Sequence, residues 1–486
     1  MDPDQPEVSG SAPGLQSKSG GEAEIIRLLR VPASEVDEAL WIEGRLPAGL
    51  EGTLYRVGPA VTGRPGTAYG HALDGDGLVQ RFAFSAGRID FRSRVVRTTK
   101  FVSEEAANAT LFPTWSRRAP GWWPNVGSRR IKSQASVTIM HDGSNLLARD
   151  EVGLPWVLDA ETLTTRGEFP EGPREGAATR SGSLNPKAHV KIDPADGSRI
   201  TVGCSYGVKT KLHVMRHDAE GRMVSHRVVE VPVQTYFHDF FACAGKVIVP
   251  LPPLVFHPIR FVSGLASFSD CLTWQPERGM IWLVLNIGDD TPATILHGPA
   301  LWMWHGINAF QENGTIVADW IGYGEPDHFV GENAALRAIA QSRPGDARHP
   351  GRMMRTTLDL SRGTLDQRVL FDGNFEFPTL EPEHMGGAYD HCYTTVGGAT
   401  ILADGIARID LRGGRCEQFH FGSDIYVGEP LPAGPDWLLV PGLDASRGQS
   451  FLAIFDKQAI EGGPVAMAWH AGIMPATFHG AWHVER

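Results

Sequence analysis

Short apolar runs recur along almost the whole of this chain, each cut off by Gly, Pro, Asn or Asp. They fall at residues 52–59, 78–84, 89–96, 136–140, 145–148, 155–158, 200–202, 211–215, 224–232, 246–250 and 281–285, and then at 315–320, 353–360, 399–402, 407–411, 437–441 and 451–455. Runs this short are too brief for stable helices but suffice for strands. The 56 Gly and 34 Pro supply the turns between them. Only residues 333–341, rich in Ala and off the strand rhythm, form a good helix candidate. The expected fold class is therefore all-β and closed, since a long open sheet would leave unpaired edges. Periodicity alone leaves sandwich, barrel and propeller open.

The remaining bulk properties narrow the function class. A formal charge of −11 argues against a nucleic-acid partner, because phosphate binding needs a basic face. Five scattered cysteines with no C-x-x-C spacing read as reduced thiols, which fits a cytoplasmic protein. No apolar run is long enough to span a bilayer. Residues 1–24 are polar and rich in Gly, Ser and Pro, and are expected to form a disordered tail ahead of one domain over 25–486.

Four histidines stand out against this background. His189, His238, His305 and His479 each sit among large apolar residues at or near a strand end, as in Tyr236-Phe237-His238-Asp239-Phe240 and Trp302-Met303-Trp304-His305-Gly306. An isolated histidine of this kind is ordinarily a packed core residue. Four of the same design could converge on one iron, zinc or copper ion. Their spacing rules out a local zinc-finger arrangement, so the fold itself must bring them together. Carboxylates are then expected just outside them, each accepting the second imidazole N–H. Glu376, in Phe375-Glu376-Phe377-Pro378, is the most conspicuous, because a charge buried between aromatics needs a partner.

With these stretches the chain resembles the carotenoid cleavage oxygenase family over residues 41–482. That family includes apocarotenoid oxygenases, lignostilbene dioxygenases, isoeugenol-cleaving enzymes and the retinoid isomerase. The resemblance implies a seven-bladed β-propeller with a loop-and-helix cap, whose axis is where distant residues meet. It implies Fe(II) on the four histidines and insertion of O2 across a carbon–carbon double bond to give two carbonyl products. It pairs Glu151 with His238, Glu376 with His305 and Glu429 with His479, and leaves His189 without a carboxylate. Ser136 is expected near the iron. Phe101, Asp150, Phe237, Trp304 and Phe478 are expected along the substrate tunnel.

At the places where phenol-cleaving members carry Tyr and Lys, this chain has Phe101 and Asp150. The expected substrate is therefore an apolar polyene, a carotenoid or apocarotenoid. Cleavage of a phenylpropenoid or stilbene is the alternative. Isomerisation without O2 is a further one, because Pro475-Ala476-Thr477-Phe478-His479-Gly480 resembles the retinoid isomerase segment, and a propeller that only binds a partner is another.

One segment departs from the strand pattern. Residues 111–132 combine Trp115, Trp122 and Trp123 with Arg117, Arg118, Arg129, Arg130 and Lys132. Tryptophan beside Arg and Lys is the composition of a membrane-interface segment. A loop whose rings cover the core while its arginines face water has the same composition, and both readings stay open.

Overall fold

The computed structural model describes residues 19–484, apart from 33, 129–130, 171–183, 207–208 and 399. Its main sheets are seven in number and follow one another along the chain as the blades of a propeller. The second blade runs inward from Thr165–Glu168 through Trp156–Asp159 and Asn145–Arg149 to Thr138–Asp142. The third to sixth each open on an innermost strand and meander outward. Their first strands are Asn185–Ile192, Phe241–Cys243, Trp302–Glu312 and Phe375–Thr379.

The ring is closed by both chain ends. In the first blade the C-terminal strand His479–His483 pairs with Gly52–Val61 as the innermost strand. In the seventh, the N-terminal strand Trp41–Gly44 pairs with Ala466–Trp469 as the outermost. Radial repetition leaves only short edges, which answers the edge-strand problem that the pattern of short runs poses.

Hydrophobic residues at alternate strand positions pack blade against blade. Val202, Leu212 and Val214 of the third blade meet Phe240, Val249 and Leu283 of the fourth. Trp282 and Trp320, both fully buried, fill the next interface, with ring centroids 5.8 Å apart. Three short helices lie in the loops: Thr99–Ala107 between the first and second blades, Pro258–Val262 within the fourth and Ala335–Ile339 within the fifth. The last lies within the expected helical stretch 333–341.

Two expectations are corrected. A helix, Ser19–Leu28, starts inside the stretch expected to be a disordered tail, and Ile25 and Leu28 pack against Leu443 of the seventh blade. Residues 1–18 lie outside the described residues. Of the apolar run at 399–402, residue 399 lies outside the described residues and residues 400–402 are not a strand. The next strand starts at Gly405, and residues 400–402 form a loop whose Ile401 and Leu402 face a cavity. No helix among the described residues is long and apolar enough to cross a membrane.

Candidate metal centre

Strand register explains how the four imidazoles leave their sheets. In the third blade the pairing of Asn185–Ile192 breaks between Pro186 and Val190, where His189 sits. In the fifth, Trp302–Glu312 shifts register between Met303 and Gly306, around His305. In the sixth, the break falls between Glu376 and Thr379. In the seventh, Ile425–Val427 and Leu431–Ala433 pair with the same strand, and Glu429 lies in the interruption between them. A bulge frees an innermost strand from strict alternation and turns one side chain toward the axis. His238 precedes the first strand of the fourth blade, and His479 opens the last strand of the first.

The four rings face one another across the axis. Their ligand atoms all lie within 4.8 Å of one another. His189 Nε2 and His238 Nε2 are 3.0 Å apart, and His305 Nε2 is buried without a protein partner. Ring planes cross at 76–88°. Burial, and then repulsion from the other three rings, holds His189 well below its ordinary pKa, in the neutral form that a metal requires. Four imidazole nitrogens gathered at one point, one of them unpartnered, fit a divalent transition-metal ion.

Three glutamates stand behind three of the rings. Glu151 Oε1 is 3.0 Å from His238 Nδ1, Glu376 Oε2 is 2.6 Å from His305 Nδ1, and Glu429 Oε1 is 2.8 Å from His479 Nδ1. Glu376 and Glu429 accept the Nδ1–H and leave Nε2 free to face the axis, whereas Glu151 and His238 stand at ion-pair distance without hydrogen-bond geometry. Among the described residues His189 has no carboxylate partner. The first, third, fourth and fifth blades supply the histidines, and the second, sixth and seventh supply the glutamates. Burial lowers the His305 pKa, but the Glu376 carboxylate outweighs it and the net shift is upward. Burial likewise raises Glu376, and the His305 ring more than reverses it.

The backbone around the histidines is tightly specified. A Cβ on Gly306 would stand 2.3 Å from Phe241, and the Gly306 N–H donates to Asp239 Oδ2 at 2.9 Å. Asp239 also pairs with Lys191, so one carboxylate ties together the stretches bearing His189, His238 and His305. Phe377 has φ +49°, a strained left-handed conformation for an aromatic residue. It lets the Phe377 N–H donate to Glu376 while its ring stacks on His305 at 5.5 Å.

A cavity opens beside His238, His305 and His479. Val137, Trp304, Phe377, Phe478, Trp115 and Tyr236 are among the residues that line it. Trp304 is fixed by its indole N–H, which donates to His328 Nε2 at 2.5 Å.

These linings correct several expectations. Ser136 is buried and does not line the cavity; the adjacent Val137 does, so a methyl-bearing side chain stands where a hydroxyl was expected. Phe101 packs on Ala60, Leu78 and Val95 beneath the guanidinium groups of Arg64 and Arg97. Asp150 is buried off the cavity, accepting the N–H groups of Gln134 and Glu151. Phe237 belongs to the core between the third and fourth blades. Trp115, only 7% exposed, is cavity wall and not a membrane-facing ring. Trp122 and Trp123 are 53% and 76% exposed. Arg129 and Arg130 lie outside the described residues.

Residues 30–484 match the family described as retinal pigment epithelial membrane protein, RPE65. The chain belongs to the RPE65/carotenoid cleavage oxygenase family. It is 29% identical to the apocarotenoid-15,15'-oxygenase of Synechocystis, over 91% of this chain and 92% of that one. It is 28% identical to the isoeugenol monooxygenase of Pseudomonas putida, over 93% and 95%. It is 24% identical to lignostilbene-alpha,beta-dioxygenase isozyme III of Sphingomonas paucimobilis, over 96% and 97%. Among solved structures, a cobalt-substituted form of the Synechocystis enzyme superposes with a TM-score of 0.85 at 25% identity, covering 95% of this chain and 99% of that one. With oxygenases of this family matching over nearly the whole of its length, the chain is an alkene-cleaving dioxygenase.

Proposed function

We propose that His189, His238, His305 and His479 hold one ferrous ion and that the enzyme cleaves a double bond of an apolar polyene, a carotenoid or apocarotenoid, with O2. The observation that carries this reading is the division of labour among the blades, with four giving an imidazole to one point and the other three giving a carboxylate behind it. When bound, the ferrous ion supplies activation of O2, which the protein's own side chains cannot provide. Glu376 and Glu429 hold the Nδ1 protons and fix the tautomers of His305 and His479. Trp304, Phe377 and Phe478 exclude water and set the alkene's plane by ring contact.

At Tyr69 the wall gives a phenolic alkene no free cation, which supports a polyene as the substrate. Tyr69 is the cavity hydroxyl beside a lysine, with Lys100 Nζ 2.9 Å from its oxygen. That lysine is already paired with Asp76 at 2.8 Å and Glu104 at 3.1 Å, and Tyr69 itself donates to Glu104. The cluster has no spare positive charge to hold a phenolate. Trp122 and Trp123, with exposed Ile259 and Leu265 on the neighbouring Pro258–Leu265 stretch, form an apolar patch suited to drawing a lipid-dissolved substrate from a membrane surface.

The test is to load the protein with Fe(II) without air and then supply ¹⁸O2 with an apocarotenal, isoeugenol or a hydroxystilbene. Mass spectrometry should find label in both carbonyl products of the apocarotenal, with a higher kcat/KM than for either phenol. Cleavage of the phenols alone would overturn the substrate assignment, and an iron-loaded protein that cleaves no alkene would overturn the activity.

A further inference from the structure

The three glutamates differ in what stands behind them. Glu151 Oε2 is paired with Lys187 Nζ at 2.5 Å, and Glu429 Oε2 with Arg56 at 3.3 Å. Lys187 is 1% exposed and Arg56 0%. The Lys187 ammonium lies against the rings of Tyr236 and Phe237, 4.4 and 4.7 Å from their centroids. The other Arg56 donors go to Thr477 Oγ1 and to the carbonyls of Glu429 and Phe478. Glu376 is backed by a neutral group, the Phe377 N–H. Among the described residues no lysine or arginine pairs with it.

Orientation alone does not account for this difference. Glu376 is held in place without a cation, and burying an ammonium or guanidinium costs several kcal/mol before its pairing offsets it. What the two cations change is charge. Four neutral imidazoles cancel none of a metal ion's charge. Three carboxylates and two cations leave a single net negative charge beside the site. We propose that Lys187 and Arg56 are charge-balancing residues that hold the bound ion in its divalent state, a proposal that rests on reading the site as an iron centre. The step they oppose is loss of one electron from Fe²⁺ to O2, which gives Fe³⁺ and free superoxide. A fixed positive charge in a water-poor interior makes the trivalent ion costlier than the divalent one. It acts through Glu151 and Glu429 without touching the ion.

The test uses full-length protein, stripped by a chelator, reloaded with Fe²⁺ without air and titrated potentiometrically at pH 8. Binding of Co²⁺, followed by its visible bands, reports separately on whether the imidazole cage is intact. Lys187→Met should shift the oxidised-to-reduced ratio at fixed potential at least tenfold toward Fe³⁺, or about 59 mV for one electron. Its Co²⁺ bands should be unchanged. Lys187→Arg should match the parent protein. Lys187→Met combined with Glu151→Gln removes both charges together and should return the potential toward the parent value. If Lys187→Met does not fold, Lys187→Gln is read the same way. A potential unchanged in the single variant would overturn the proposal. So would equal loss of Co²⁺ binding in the single and double variants, which would make Lys187 a brace for Glu151 and nothing more. A parent protein that binds neither Fe²⁺ nor Co²⁺ would instead remove the iron reading, and this proposal with it.

Discussion

Glu376 is the carboxylate without a cation behind it, so the charge it lends to His305 is undiluted. Glu376→Gln keeps the volume and removes that charge, and iron affinity or turnover should fall roughly 10–100-fold. Equal iron content and equal rate in the variant would show that His305 does not depend on it. Asp150 gives a second residue-scale prediction. Burial pushes its carboxyl up to about 6, against the pull of the Gln134 and Glu151 N–H groups. A carboxyl raised above its unfolded value of about 3.9 favours folding below that pH, and the benefit is lost as pH rises through about 6. The loss is roughly 3 kcal/mol. The Tm of Asp150→Asn, relative to the parent, should therefore rise by a few degrees between about pH 4.5 and about pH 7. A gap that does not change with pH would mean Asp150 is ionised throughout. At this scale the histidines and glutamates were legible because an imidazole or carboxylate among aromatics is conspicuous in the sequence. Lys187, Arg56 and Val137 were not. A lysine beside a proline reads as surface, and which of two adjacent residues, Ser136 or Val137, faces a cavity depends on strand phase.

At the scale of elements, the bulges decide the site. The sequence shows where apolar runs stop but carries no clear sign of a register break within one. The sequence marks no apolar run at 185–192 or 302–312, only a histidine at or near a strand end. The breaks at Pro186–Val190 and Met303–Gly306 appear only when the partner strand is in place. The same limit applies to the Trp/Arg segment. Its composition suited both a membrane lip and a core cover, and the structure divides it between them. Trp115 is inside, while Trp122 and Trp123 are outside. Replacing Trp122 and Trp123 with Ser should weaken binding to liposomes or detergent micelles and leave iron content intact. Unaltered binding would assign the two rings a role in packing against the Pro258–Val262 helix, to which the Trp122 N–H is tethered through the Ser263 carbonyl.

At the scale of the whole molecule, closure of the ring makes the site possible. His479 reaches the axis because its strand joins Gly52–Val61, hundreds of residues earlier, so the pairing that completes the first blade also places the fourth ligand. The closed all-β class followed from the short runs. The seven-fold ring did not, because nothing in a run of five residues specifies how many sheets precede closure. The central claim is that this ring places four imidazoles around one iron ion. Crystals grown without O2 from Fe(II)-loaded protein, with an anomalous map at the iron edge, test it most directly. The expected result is one peak on the axis, about 2.0–2.3 Å from Nε2 of His189, His238, His305 and His479. A peak elsewhere, or one from which any of the four rings has turned away, would contradict it.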